Sequence, residues 1–264
     1  MNNRLLIYKI SFSFFVFIIG SLPLNGQVPI SDSIHINSYR SEECGRALEA
    51  IGNSMPNTAI EIMQNLQKKY ILNNLENCVL AQAYNNTHAY EKTKELYKSA
   101  KIIDVNNNNY LFVLLYIKAL SETKEYREAI SLREKVIVAL DKTDNNKRAI
   151  LSDVYFDMAG DYIKIDVFEV GRKWMDKAIL FRMNVLNVDI NKVAKGEIID
   201  RFLASYFAGY YVNMVMYNPI EEDNELYLAL SIACGNEIAK YNFPHIGKNY
   251  KKILKKFLKK NISR

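Results

Sequence analysis

LAQAYNNTHAYEKTKELYKSAKIID, residues 80–104, is the stretch that decides the fold. Ala81 precedes Tyr84 by three positions, Tyr90 opens a second run, and Thr93, Tyr97 and Ala100 follow at helical spacing. Positions three and four apart share one face of a helix, so both runs read as helices with one packed side. Two antiparallel helices approach closely only where the side chains between them are small, because the interaxial distance is set by the residues at the contact. Ala81, Thr93 and Ala100 therefore mark a contact line.

The same line recurs along the chain. Four triads align: Ala47/Ala59/Leu66, Ala81/Thr93/Ala100, Ile117/Ala129/Val136 and Ala159/Gly171/Ala178. Larger residues fill the flanking positions, Met63, Tyr97 and Met175 at one and Tyr84, Leu120 and Tyr162 at another, with Arg133 breaking the apolar pattern of the third unit. Each second helix is expected to open at Pro56, Tyr90, Tyr126 or Phe168, at intervals of 34, 36 and 42 residues. Proline suits that first turn, where its missing N–H has no partner to lose. The longest interval contains the polar stretch 141–147, an extended turn.

This pattern resembles the tetratricopeptide repeat, a helix–turn–helix unit of 34 residues. The resemblance covers residues 40–186 as about four helix pairs and implies an all-α fold, a right-handed α-solenoid of antiparallel pairs. It further implies that first helices line a concave groove for a protein or peptide partner. Groove positions carried onto this chain are Leu75, Cys78, Gln82 and Asn85 in the second unit. The third contributes Leu111, Leu114, Lys118 and Ser121, and the fourth Asp153, Phe156 and Ile163. The Lys/Asn/Arg set with which some members clamp a C-terminal carboxylate is not recognisable here.

Composition agrees with a helical protein: 49% hydrophobic, 24% charged, with only 10 Gly and 5 Pro to supply turns. Residues 1–26 stand apart, with Arg4 and Lys9 ahead of an uncharged apolar run that ends near Pro23, Asn25 and Gly26. This is the form of a secretory signal peptide, which places the protein outside the cytoplasm, in the periplasm, the cell envelope or the medium. As an uncleaved membrane anchor the run is marginal in length. Residues 27–39 read as a linker. Cys44, Cys78 and Cys234 are too few and too scattered for a disulfide framework, and Cys44 and Cys78, one 34-residue interval apart, are expected as buried free thiols.

Beyond residue 187 the repeat blurs into a divergent helix pair ending near 243: a long helix from Lys195 to Tyr217, stopped at Asn218-Pro219, and another from Glu221 to Tyr241. Phe202 to Tyr217 carries no charge and reads as a buried helix. Residues 244–264 form a basic amphipathic capping helix. Ile246, Tyr250, Ile253, Leu254, Phe257 and Leu258 share one face and seven lysines the other. Such a helix covers the open end of a stack of pairs, and it also fits an anionic membrane surface.

Charge divides in the same way. The formal net charge is +6, and removal of Arg4 and Lys9 leaves +4. Nine basic residues and no acidic one lie from Lys240 onward, so residues 27–239 sum to −5. An acidic body excludes nucleic acid as the expected partner. The three histidines are isolated, so neither zinc spacing nor any metal site is expected, and no phosphate loop or nucleophile elbow is present. No cofactor and no catalytic residue is expected. The resulting expectation is an exported, non-enzymatic scaffold or adaptor, with a periplasmic sensor-type module or a carboxylate-based helical hydrolase as alternatives.

Overall fold

A computed structural model describes residues 33–102, 104–106, 108–141, 145–217 and 222–262, so the expected signal peptide lies outside the described residues. Those residues form thirteen helices and their connections, with no strand among them. The fold is all-α. The chain gathers into two compact units that divide after Ala139. The 40–186 stretch is thus shared between them.

The first unit contains α1 (Ser33–Gly52), α2 (Pro56–Lys69), α3 (Asn74–Asn86), α4 (Tyr90–Ser99), α5 (Tyr110–Glu122) and α6 (Tyr126–Asp141), whose last two residues pass the boundary. Helix α1 takes in the last seven residues of the expected linker, since 33–39 holds no Gly or Pro to stop it. The second helices open at the expected residues, Pro56, Tyr90 and Tyr126, as does Phe168 in the second unit. From α1 to α5 each helix packs on its sequence neighbours, and α3 also packs on α1 and α5. Helix α6 is tied to α5 through Tyr116 Oη donating to Glu128 at 2.9 Å and Arg133 donating to Ser121 Oγ at 3.2 Å.

What turns each pair is one backbone device. Ser54, His88, Lys124 and Asp166 adopt positive φ of 59°, 59°, 69° and 63°, each two positions ahead of a second helix. In each case the left-handed residue donates its N–H three residues back, and the next N–H reaches five back: Ala89 to Tyr84 O at 2.8 Å, Glu125 to Leu120 O at 2.8 Å, Met55 to Ala50 O at 2.8 Å and Val167 to Tyr162 O at 3.0 Å. This is the Schellman motif, which satisfies the last carbonyls of the first helix while reversing the chain.

Eleven of the twelve expected crossing residues are buried, and Ala47, Ala59, Ala81, Thr93, Ile117, Ala129, Val136, Ala159 and Ala178 are fully so. Ala100 is the correction. Helix α4 stops at Ser99, so Ala100 caps it and lies exposed beyond the crossing. Arg133, the break in the apolar pattern, is itself buried and donates to Ser121 Oγ at 3.2 Å. An ion pair ties α1 to α3: Arg40 grips the buried Glu76 through Nε at 2.9 Å and a terminal nitrogen at 2.5 Å. Glu76 also completes a capping box with Asn73 at the start of α3. Because Arg40 is partly exposed, removing it costs less than the roughly 3–5 kcal/mol expected for a fully buried pair.

The second unit contains α7 (Asn145–Lys164), α8 (Phe168–Val185), α9 (Ile190–Ala194), α10 (Arg201–Tyr217), α11 (Glu222–Ala233), α12 (Glu237–Asn242) and α13 (Pro244–Ile262). Pairs α7–α8 and α10–α11 pack closely, α10 also lies on α8, and α13 on α11. At the α7–α8 crossing a Cβ on Gly171 would stand 2.7 Å from Ile163 Cγ1, so only glycine fits.

The long helix expected from Lys195 to Tyr217 is broken. Gly196 takes φ +70°, and Asp200 then starts α10 by accepting the Leu203 N–H at 2.8 Å. The expected helix from Glu221 to Tyr241 likewise divides at Gly235 (φ +89°), where the Schellman bonding recurs two residues before α12. Among the described side chains of α10, Leu203, Ala204, Tyr206, Phe207, Ala208 and Tyr210 are buried. Among the described residues no helix is long and apolar enough to cross a membrane.

The exposed side chain of Lys124 makes the turn separable from packing. A left-handed non-glycine residue carries about 1–2 kcal/mol of strain, of which glycine's greater unfolded-state freedom offsets part. Lys124→Gly should therefore raise the urea-unfolding free energy by about 1 kcal/mol, and Gly235→Ala should lower it by a similar amount.

Candidate functional site

The face expected to receive a partner in the first unit divides into spent and unspent groups. Leu75 on α3 and Leu111 and Lys118 on α5 are half-buried, whereas Cys78 and Leu114 belong to the core. Asn85 is a correction. It is fully buried, donates to Leu115 O at 2.9 Å and accepts from Thr93 Oγ1 at 2.8 Å, so its amide knots α3, α4 and α5 together instead of facing a ligand. Ser121 is corrected on the same ground, being buried under the Arg133 guanidinium.

Gln82 differs from both. Its side chain is 1% exposed and its Nε2 donates to Asn86 Oδ1 at 2.6 Å. Its Oε1 is buried without any hydrogen-bond partner. Leaving such an acceptor unsatisfied costs about 1–3 kcal/mol. Elsewhere in this unit an open cleft of about 420 Å³ lies where α2 ends against α3 and α4, walled by Lys68, Tyr70, Asn77, Leu96 and the displaced Ala100.

In the second unit the three expected positions separate in the same manner. Ile163 is corrected to core, wedged against Gly171. Phe156 is half-buried and stacks on Tyr206 with ring centres 4.7 Å apart, over Gly209, where a Cβ would stand 2.3 Å from the ring tip. Asp153 accepts the hydroxyl proton of Tyr206, which also reaches Ser152 Oγ at 3.2 Å.

Sequence reading missed the setting of Asp153. Arg182 on α8 pairs with Asp200 at 2.8 Å and lays its guanidinium 4.4 Å from the centre of the Phe202 ring. Burial pushes the Asp153 carboxyl up to about 7; the Tyr206 hydrogen bond opposes this, Asp157 adds to it, Arg182 opposes it and Asp200 adds to it. Burial raises the Tyr206 phenol well above its ordinary value. The visible signal was a carboxylate at every fourth position of α7, Asp153, Asp157 and Asp161. The arginine and tyrosine that answer them lie on other helices. Among the described residues no three His, Cys, Asp or Glu side chains are gathered as a metal site.

No family model matches the chain, and no curated protein matches it.

The Asp153 arrangement has a pH signature. A carboxyl titrating near 7 in the fold and near 3.9 when unfolded binds its proton more tightly in the folded state. Its contribution is complete below about pH 4 and is lost as pH rises through about 7. Asp153→Asn keeps an acceptor for Tyr206 without the charge. It should remove this loss, leaving the variant more stable than the parent at pH 8 on the order of 2 kcal/mol, discounted for the partial exposure of the carboxylate. Thermal melts across the pH range measure the difference.

Proposed function

We propose that this chain is an exported, non-enzymatic scaffold of the tetratricopeptide-repeat type, a right-handed α-solenoid that holds a protein or peptide partner against its first helices. The recurrent turn and the buried crossing line support a repeat reading: four pairs reverse through one backbone pattern although their turn residues are Ser, His, Lys and Asp. The apolar start of the chain supports export.

The observation that carries partner binding is Gln82. A buried amide with one end satisfied and the other unmatched is a poor choice for stability alone, since leucine of similar volume would fill the site without an orphan acceptor. Oε1 is itself covered, so an extended peptide laid along α3 offers the missing N–H once docking turns the amide outward. Leu75, Leu111 and Lys118 supply half-buried apolar contact and one cation around it.

Gln82→Leu separates the two roles. The variant should melt at or slightly above the parent temperature, with a gain of up to about 1 kcal/mol. Affinity capture from the envelope fraction, read by mass spectrometry, should show a protein retained by the parent chain and lost by the variant. Equal capture by both, with both folded, would count against recognition on this face.

A further inference from the structure

The lysine face of the last helix has no role in the recognition just described. From Pro244 to Ile262, α13 lies on α11 and α12. Ile246 and Leu254 are buried, and Tyr250, Ile253, Phe257 and Leu258 are half-buried. Lys248, Lys251, Lys252, Lys255, Lys256, Lys259 and Lys260 are all exposed. At about 100° and 1.5 Å per residue, these seven span roughly half the helix circumference over about 18 Å. No acidic residue follows Glu237, which is paired with Lys240 at 3.1 Å. The strip therefore holds one sign of charge with no carboxylate from its own helix.

The side chains say what kind of anion fits. Every charge in the strip is lysine, a compact and strongly hydrated ammonium without the planar fork that reads a shaped carboxylate or phosphate pair. Such a strip senses the density of negative charge more than its geometry. Stacking a run of nucleic-acid bases requires a series of exposed aromatic rings among the cations. Inside the strip Tyr250 and Phe257 are turned partly into the packed side, and Tyr241 offers a single exposed ring next to it.

A second observation lies next to the strip. Helix α12 crosses α13 at Gly247, where a Cβ would stand 2.5 Å from the Lys240 carbonyl oxygen. On α12, Ile238 is 53% exposed and Tyr241 85% exposed. An aliphatic and a tyrosine left in water beside a lysine strip match the headgroup region of a bilayer, where amphipathic rings settle and cations meet anionic lipid.

From these features we infer that the exposed face of α13, with Ile238 and Tyr241 beside it, docks the protein on an anionic lipid bilayer. The docking is peripheral. An amphipathic helix ordinarily binds by burying its apolar face in the acyl boundary. In α13 that face is committed to α11, so attachment rests on charge and on two flanking side chains, and it weakens steeply with salt.

The test is cosedimentation of the full chain with vesicles of phosphatidylcholine alone or with about one third phosphatidylglycerol. The parent chain should gain binding from the anionic lipid and lose that gain at high salt. The variant Lys248→Gln/Lys251→Gln/Lys252→Gln/Lys255→Gln should bind the anionic vesicles up to about a thousandfold more weakly, with an unchanged melting temperature. Ile238→Ser/Tyr241→Ser should weaken binding by about tenfold at constant charge. Equal binding to both vesicle types, or equal binding by parent and lysine variant, overturns the inference. Insensitivity of the parent to salt overturns it without any variant. Release from the vesicles by poly-glutamate or RNA at lower charge concentration than free anionic lipid overturns the choice of lipid as the docked surface.

Discussion

Reversal through a single left-handed residue fixes how four of the helix pairs in this protein form. Two orphan carbonyls at the end of the first helix find N–H donors inside the turn, so the chain comes back beside itself with its backbone already satisfied. From that point the second helix can run antiparallel to the first only if nothing large lies between them. Ala59, Thr93, Ala129 and Gly171 supply that space at the matching position of each second helix. The turn and the small residue are one constraint expressed twice, once in hydrogen bonds and once in volume. The left-handed residue does not have to be glycine, because a modest local strain is outweighed by the packing it permits.

That balance explains what could be read in advance. Helix openers and crossing residues recur with a period, and periodic features survive in a sequence: Pro56, Tyr90, Tyr126 and Phe168 each begin a helix. Turn conformation left no comparable trace, since Ser54, His88, Lys124 and Asp166 share no chemistry. Gly196, between Lys195 and Glu197, and Gly235, before Asn236, did carry a turn signal, but each stands in a span with few other breakers that reads as one continuous helix. Ala100 had the correct spacing but sits after its helix has ended, and spacing alone does not report helix length.

The expected binding positions were partly legible for a different reason. Spacing along a first helix locates a residue on a face, but not whether a neighbouring backbone claims its polar atoms. Asn85 and Gln82 are one turn apart on α3, and both are amides. Thr93 and the Leu115 carbonyl engage the first, whereas the second keeps an unmatched oxygen. The same limit applies to Arg40 with Glu76 and to Arg182 with Asp200, pairs that bind residues 36 and 18 positions apart. Charge patterning within one helix cannot reveal them. Asp153 belongs with these cases, since its unusual proton affinity comes from burial and from groups on three separate segments.

The three thiols Cys44, Cys78 and Cys234, all free and buried, have a consequence for the order of events in the life of the chain. Burial pushes Cys44 and Cys234 up to about 11 and Cys78 up to about 12. The thiolate is the species that oxidants and disulfides react with, and near pH 7 a thiol titrating near 11 is ionised on the order of once in ten thousand molecules. An unfolded copy of the same chain has ordinary, far more reactive cysteines. Folding and oxidation are therefore in a race: a chain that packs first becomes chemically silent at sulfur, and a chain that is oxidised first can no longer seat Cys44 and Cys78 in the same core.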